Sequence, residues 1–377
     1  MECKRCLFDT KTSDIIIDQN GICNYCKLYD QMEQQYPISE DTLIRLIEQI
    51  KTDKKPQQKY DCVLGISGGL DSTYLLYYLV KFYGLHPLAV HFDNGWNTDT
   101  AKHNMHIICD KLNVDFEVYA VEPAEFDDII SAFLKSGVID IDAPTDIGLI
   151  TTLYKVADKH KIKYILEGHS FRTEGVQPLD WAYVDGKYIA EIHRQFGKKP
   201  MKTYPNLWMK NFIYWTVIKR IKRVRPLYYI DYNKERARKV LLEYGFKNYS
   251  GHHYENKWSQ FNYSYYLPKR ANVDGRKNEL CAYVRRGIIT KLDAKNILAN
   301  PIECNQELLN ETLLRLSANK KDLNEFINAP IKNWRQFNTY KSFFEKSKII
   351  WYILYKVNII PKSFFYKYCI RHKKRKI

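Results

Sequence analysis

Several features are missing from this 377-residue chain, and each absence removes a class of answer. No uninterrupted apolar run approaches the roughly 18–20 residues of a bilayer-spanning helix. The opening "MECKRCLFDT" is polar and lacks the apolar segment of a secretory leader. Together with nine cysteines this predicts a reducing, cytoplasmic setting, where paired cysteines more often ligate metal than form disulfides. There is no internal repeat, no low-complexity tract, and no GxxxxGK(S/T) phosphate loop. Acid is short relative to base: 43 Asp and Glu face 59 Lys and Arg, so the net charge of +16 predicts an acidic counterpart such as nucleotide phosphates, nucleic acid or an anionic membrane face.

The first stretch places Cys3 and Cys6 in one CxxC and Cys23 and Cys26 in another, sixteen residues apart. Each CxxC turn can present two thiolates, and four make a tetrahedral set, so residues 1–35 read as a zinc ribbon with a structural, closed Zn2+ site. Residues 36–58 read as a helix ("DTLIRLIEQIK") and a polar linker. From residue 59 strands alternate with helices: "YDCVLGIS", "HPLAVHFD", "DFEVYAV" and "IKYILEGHS" are strand candidates separated by helical patterns. That alternation predicts an α/β parallel sheet covered on both faces, over 59–240. Beyond about residue 200 the pattern turns to helices rich in Tyr and Lys, among them "NFIYWTVIKRIKRVRP"; 241–330 reads as a helical region for substrate or partner. Residues 331–377 read as an aromatic, polybasic tail. Its last seventeen residues, 361–377, hold seven Lys or Arg and no acid, which suits an anionic leaflet as well as it suits a docked helix with a solvated basic end.

Chemistry concentrates at "VLGISGGLDSTYLL", residues 63–76. A strand that stops in Ser-Gly-Gly and restarts as a helix leaves N–H groups pointing outward where the helix dipole also favours an anion. The hydroxyls of Ser67, Ser72 and Thr73 add donors. "SGGLDS" resembles the SGGxDS signature of the PP-loop ATP pyrophosphatases, whose fold (adenine nucleotide alpha hydrolase-like) the resemblance implies here. It also implies that Ser67, Gly68, Gly69, Asp71, Ser72 and Thr73 take the ATP pyrophosphate and Mg2+, with Asp71 catalytic. His91, Phe92, Asp93 and Asn94 would receive the adenosine, and Gly168 would line the reaction centre.

The ribbon, the loop and the later "YYLPKR", "VDGRKNEL" and "GIITKLDA" are together similar to the N-acetyl sugar amidotransferases of bacterial surface polysaccharide (lipopolysaccharide O-antigen and capsule) biosynthesis, over about residues 1–310. The chain departs from that pattern at Ala271–Arg276 and at His169–Arg172. The resemblance implies adenylation of an acetamido carbonyl on an N-acetylated, nucleotide-linked sugar, then replacement of its oxygen by ammonia to give an acetamidino group, with release of AMP and pyrophosphate. Glu167, His169, Arg172, Glu174, Tyr266, Lys269, Arg270, Asp274 and Arg276 are the acceptor-side candidates. No GxCxG elbow is present, so ammonia is expected from a separate glutamine amidotransferase with a cyclase-like companion. The setting expected is cytoplasmic, peripheral at the inner face of the plasma membrane, with no nucleic-acid partner. A tRNA thiolation enzyme is the alternative: it would share the loop, the CxxC pairs and a basic run such as "KRIKRVRP", but needs further cysteines near its site. An adaptor carrying a degenerate ATPase is the weaker rival, because the loop residues are all present.

Overall fold

The computed structural model describes residues 1–12, 14–249, 251, 253–357 and 359–370. Two helices precede the sheet, α1 (Asn24–Gln35) and α2 (Glu40–Thr52). The alternating region follows as β1 (Cys62–Gly65), α3 (Leu70–Tyr83), β2 (Pro87–Asp93), α4 (Asp99–Leu112), β3 (Phe116–Ala120), α5 (Pro123–Ser136), α6 (Ala143–Lys159) and β4 (Tyr164–Leu166). Next come α7 (Gly186–Phe196), α8 (Met209–Ile213), β5 (Lys222–Val224) and α9 (Lys234–Glu243), and shorter helices fill the rest of the described chain.

The expected architecture is the one observed. All five strands are parallel, in the order β3-β2-β1-β4-β5. The side-chain period of two sorts the strands cleanly. Cys62, Leu64, Ala89, Tyr164 and Leu166 face α2, α3, α4 and α9 through Leu43, Ile47, Leu75, Leu79, Ile108 and Leu241. Val63, Leu88, Val90 and Ile165 face α6 through Leu153, Tyr154, Val156 and Ala157. The chain leaves β1 toward β2 on one side and returns as β4 on the other. A crevice therefore opens at the carboxyl ends of β1 and β4, where ligands bind in open α/β sheets.

The segment "NFIYWTVIKRIKRVRP" departs from its helical reading. Helix persists only through Ile218; Arg220 then turns the backbone at φ 54°, and Lys222–Val224 pairs with β4 as the sheet edge. The β-branched Val224 and the alternation of Arg223 and Arg225 suit a strand better than the residue composition suggested.

Segment 331–370, read as tail, packs into the largest core: Trp334, Phe337, Phe344, Trp351, Phe365 and Tyr368 meet Phe126, Phe133, Tyr183 and Tyr188. The buried Lys341 ammonium holds its final turn by donating to the carbonyls of Lys367 (2.8 Å), Tyr368 (3.0 Å) and Ile370 (2.8 Å). The polybasic end 371–377 lies outside the described residues. Among the described residues, no helix is long and apolar enough to cross a membrane.

Candidate active site

The crevice is a cavity of about 870 Å³. Its floor is the loop between β1 and α3. Gly68 adopts φ +77°, and a Cβ there would run into the Ala101 backbone, so the turn needs glycine. The loop amides already meet hydroxyl oxygens: Ser67 N–H donates to Ser72 Oγ (3.2 Å), Gly69 N–H to Ser67 Oγ (3.2 Å) and Leu70 N–H to the Tyr249 hydroxyl (3.3 Å). Oxygens are thus presented where a phosphate would place its own, at the N-terminus of a 14-residue helix. Ser67, Gly69, Asp71 and Ser72 line the cavity, whereas Thr73 is fully buried and turned away.

Asp71 accepts from the Tyr232 hydroxyl and stands 3.8 Å from Lys234 Nζ. Burial pushes its carboxyl up, Lys234 opposes the rise and Glu174 adds to it. Burial also acts on Glu174, but the His169 ring, bonded to it through Nδ1, holds that carboxyl well below its usual range. Two interacting carboxylates beside a glycine-rich loop at a helix N-terminus, with one lysine near them, form a donor set that fits a hard divalent cation with water in its shell. Asp71 and Glu174 would hold Mg2+ there.

Behind the loop, His91 and its neighbours build the wall. Its Nδ1–H donates to Ile66 C=O (2.9 Å) and its Nε2 accepts from Asn97 (2.9 Å), which fixes the tautomer; burial holds the imidazole below its ordinary range. Phe92 packs so closely on Gly148 that a methyl there would not fit. Asp93 Oδ1 accepts from Gly95 N–H (2.8 Å) and Asn97 (2.8 Å), and Asn94 Oδ1 from Trp96 N–H (3.0 Å) and Asn256 (2.9 Å). His91, Phe92 and Asn94 line the cavity; Asp93 shapes the turn beside it.

Gly168 at the end of β4 lies directly on the first turn of α3. Glu167 beside it is ion-paired with Arg223 (2.5 Å) and Arg225 (3.2 Å), so against burial its carboxyl stays below its usual range. The basic run at 219–226 therefore spends these two guanidinium groups inside the cavity.

The far wall was not foreseen. Asp140, Asp142 and Asp146 line it, with Tyr263, His253 and Lys367. Burial raises all three carboxyls, Asp146 to about 6, and each is pushed further by its acidic neighbours or held back by the cations opposite. Asp140 Oδ2 and Asp142 Oδ1 have no hydrogen-bond partner among the described residues. Lys367, from the final turn, faces Asp14, Asp140 and Asp146, and burial lowers its pKa. Against burial, Glu255 at 3.5 Å raises His253 to about 9; Glu174 and Asp142 also act on it, so it stands between the two acidic groups. The sequence signal for this wall is "DIDAPTD", three acids two and then four residues apart leading into α6.

The four cysteines converge. All their sulfurs lie within 4.8 Å of one another, with Cys3–Cys26 at 3.9 Å and Cys6–Cys23 at 3.7 Å. A tetrahedron with metal–sulfur bonds of about 2.3 Å has edges of about 3.8 Å, so the set fits one tetrahedral metal ion. The buried Arg285 donates to Cys26 Sγ (3.3 Å) and Cys6 Sγ (3.5 Å). The cysteine module is joined to the loop after β4: Phe8 packs edge-on against Trp181, and Trp181 Nε1–H donates to Thr12 (2.9 Å).

Residues 255–353 match the family described as LPS biosynthesis protein WbpG-like, C-terminal domain. Over those residues the chain is similar to a WbpG-like C-terminal domain. This bears out the expected kinship with bacterial surface polysaccharide biosynthesis, and the match runs past residue 310, where the resemblance was expected to end, into the helix Lys348–Lys356. An uncharacterized protein of Methanocaldococcus jannaschii, MJ1599, is 27% identical over 171 residues, 45% of this chain and 59% of that protein; the chain thus spans less than two thirds of the relative's length. Three solved structures are similar in outline. NMN synthetase from Francisella tularensis has a TM-score of 0.33 at 13% identity, covering 77% of this chain and 95% of that one. The U34-tRNA thiolase NcsA from Methanococcus maripaludis, with its 4Fe–4S cluster, has 0.32 at 14%, covering 90% and 99%. The NH3-dependent NAD synthetase from Campylobacter jejuni has 0.34 at 12%, covering 78% and 95%.

Within the WbpG-like domain the acceptor-side candidates divide. Arg276 lines the cavity while paired with Asp274 (2.7 Å). Tyr266 is buried and donates to Val138 C=O (2.7 Å), and Arg270 is buried with its donors on the carbonyls of Gly137, Ile327, Ala329 and Pro330. Both brace the fold and neither reaches the cavity. Lys269 is exposed and away from it. Outside the domain, Glu167, His169 and Glu174 line the cavity. Arg172 does not: its guanidinium is spent on Glu33 (2.8 Å, two bonds) and on the carbonyls of Tyr36 and Tyr228, welding α1 to the site loop. Lys234, Glu279 and Tyr249 also line the cavity, and of these only Glu279 belongs to a motif, "VDGRKNEL".

Proposed function

We propose that the protein is an ATP-dependent amidotransferase that converts the acetamido group of an N-acetylated, nucleotide-linked sugar into an acetamidino group during surface polysaccharide synthesis. The observation that carries this reading is one cavity with two unlike ends: the loop with Asp71 and Lys234 at one, and the carboxylates of Asp140, Asp142 and Asp146 with Lys367 at the other. Carboxylates suit sugar hydroxyls, and Lys367 suits the diphosphate or carboxylate of the acceptor.

In this account the loop amides, Ser67 and Ser72 hold the β- and γ-phosphates of ATP, and Lys234 stabilises the departing pyrophosphate. Mg2+, held by Asp71 and Glu174, would supply neutralisation of the polyphosphate charge. The acetamido oxygen attacks the α-phosphorus, the bond to the β-phosphate oxygen breaks, and pyrophosphate leaves. Ammonia then adds to the imidate carbon, AMP departs with the former carbonyl oxygen, and the amidinium retains the extra proton. The walls around Phe92, Trp181 and Phe364 keep water from the intermediate. Ammonia comes from a separate glutaminase with a cyclase-like companion, and zinc occupies the cysteine cluster.

The tRNA thiolation alternative has less support. None of the described residues lining the cavity is a cysteine, and Cys62, Cys109 and Cys281 are buried in packing positions. The test is mass spectrometry of reactions with Mg-ATP, ammonium and a panel of nucleotide-activated acetamido sugars. AMP and pyrophosphate released in step with exchange of O for NH supports the reading; release triggered by tRNA alone replaces it with thiolation.

A further inference from the structure

The helix Lys348–Lys356 presents two opposed faces. At about 100° per residue, Trp351, Leu354 and Tyr355 fall together and pack inward against the main core, Trp351 3% exposed. Ile349, Ile353 and Val357 fall on the opposite side, flanked by Ile350 and Tyr352, and are 78%, 55%, 56%, 59% and 45% exposed respectively. Phe343 on the preceding helix Lys341–Lys346 extends the same surface at 46%. Contiguous exposure of this many large apolar side chains from fifteen residues marks an interaction surface.

Charge decides what covers it. Lys346, Lys348 and Lys356 are exposed around the patch, and Lys356 folds back over the rings of Tyr352 and Tyr355 at 5.5 and 5.7 Å. From residue 341 to 370 there is one acid, Glu345, and it turns toward Lys341 at 3.3 Å. The sequence that follows, "RHKKRKI", adds five basic residues. A second copy of the chain would bring these cations against their own equivalents across a two-fold axis. An apolar stripe with a rim of lysines is instead the arrangement that lies in the headgroup region of an anionic bilayer.

We propose that the outer face of the helix Lys348–Lys356 docks on anionic membrane lipid. The docked element is continuous with the cavity: Ile360, Pro361, Phe364 and Lys367, a few residues on, line it. The enzyme would thus sit with its C-terminal wall toward the membrane surface.

The test is co-sedimentation of the full chain with vesicles of phosphatidylcholine alone or of equimolar phosphatidylglycerol and phosphatidylcholine. The expected result is binding to the anionic vesicles only, weakened by salt. Partition should fall about tenfold or more in the double variant Ile349→Asp, Ile353→Asp, whose turnover in solution is unchanged. A triple variant, Lys346→Glu, Lys348→Glu, Lys356→Glu, should lose binding while keeping its apolar face. Absence of wild-type binding to anionic vesicles overturns the proposal. So does equal binding by the aspartate variant, or a wild-type dimer in sedimentation equilibrium that the same two substitutions dissociate.

Discussion

Gly168 at the end of β4 sits on the first turn of α3 so closely that a Cβ added to it would lie 2.7 Å from Ser72 Cα. The contact is backbone against backbone, with no flexible side chain to yield. Gly168→Ala must therefore push the strand and the loop-bearing helix apart. Urea denaturation should register a loss of about 1–3 kcal/mol. Pyrophosphate release should fall further than stability alone explains. Wild-type stability and turnover would mean the two elements need not touch.

Burial, with Glu174 beside it, pushes the Asp71 carboxyl up to about 8, so the empty protein keeps a proton there at neutral pH. Asp71→Asn keeps the shape and a neutral group facing Glu174. The thermal midpoint should hold or rise while AMP formation drops about 10²-fold or more. Normal AMP formation would displace Asp71 from the catalytic role.

Cys23 both caps α1, accepting from Cys26 N–H, and completes the four-sulfur set. Cys23→Ser should lower bound metal, read by elemental analysis, from one equivalent toward zero. Because the same core contains Phe171 and Trp181 of the site loop, the acceptor KM should rise as well. Unchanged metal content would remove the cluster from the account.

Stability of the nucleotide-free protein should decline as pH rises from about 4 to about 9, through Asp146 in the lower half and His253 in the upper. Asp146, raised to about 6, is protonated in the folded state at pH values where the unfolded chain has lost that proton. His253, raised to about 9, keeps its proton when folded after the unfolded histidine has released it. Both make the folded state bind more protons, so unfolding free energy falls with pH through their folded values. The lowered carboxyls of Glu167 and Glu174 act in the opposite sense, only below about pH 4.5. Thermal midpoints followed across the range, with His253→Gln flattening the upper half, check the sign; a rising curve contradicts it.

Lys367 belongs to the far wall and lies outside the nucleotide loop. Lys367→Met should raise KM for the sugar nucleotide about tenfold and leave KM for ATP within a factor of about two. Equal effects on both would merge the two ends of the cavity.

Much of this was legible in the chain. Glycines and hydroxyls after an apolar strand force the loop at Ser67–Ser72, and two CxxC turns announce their cluster. Arg172 and Arg270 misled because a guanidinium binding substrate and one tying together carbonyl groups have the same sequence signature. Asp140, Asp142, Asp146 and Lys367 escaped because their meeting depends on the last described turn folding back over the mouth of the sheet, about 220 residues further along the chain. No local period encodes such a contact. Arg223 and Arg225 looked like a surface for phosphates until strand pairing aimed both at Glu167.

In the proposed reaction an acetamido oxygen receives AMP. A nucleotide-linked N-acetyl sugar labelled with 18O in that carbonyl, incubated with the protein, Mg-ATP and ammonium, tests it directly. One heavy oxygen is expected in the phosphate of each AMP, with none remaining in the amidino product. AMP carrying only solvent oxygen, or ADP and phosphate in place of AMP and pyrophosphate, would contradict it.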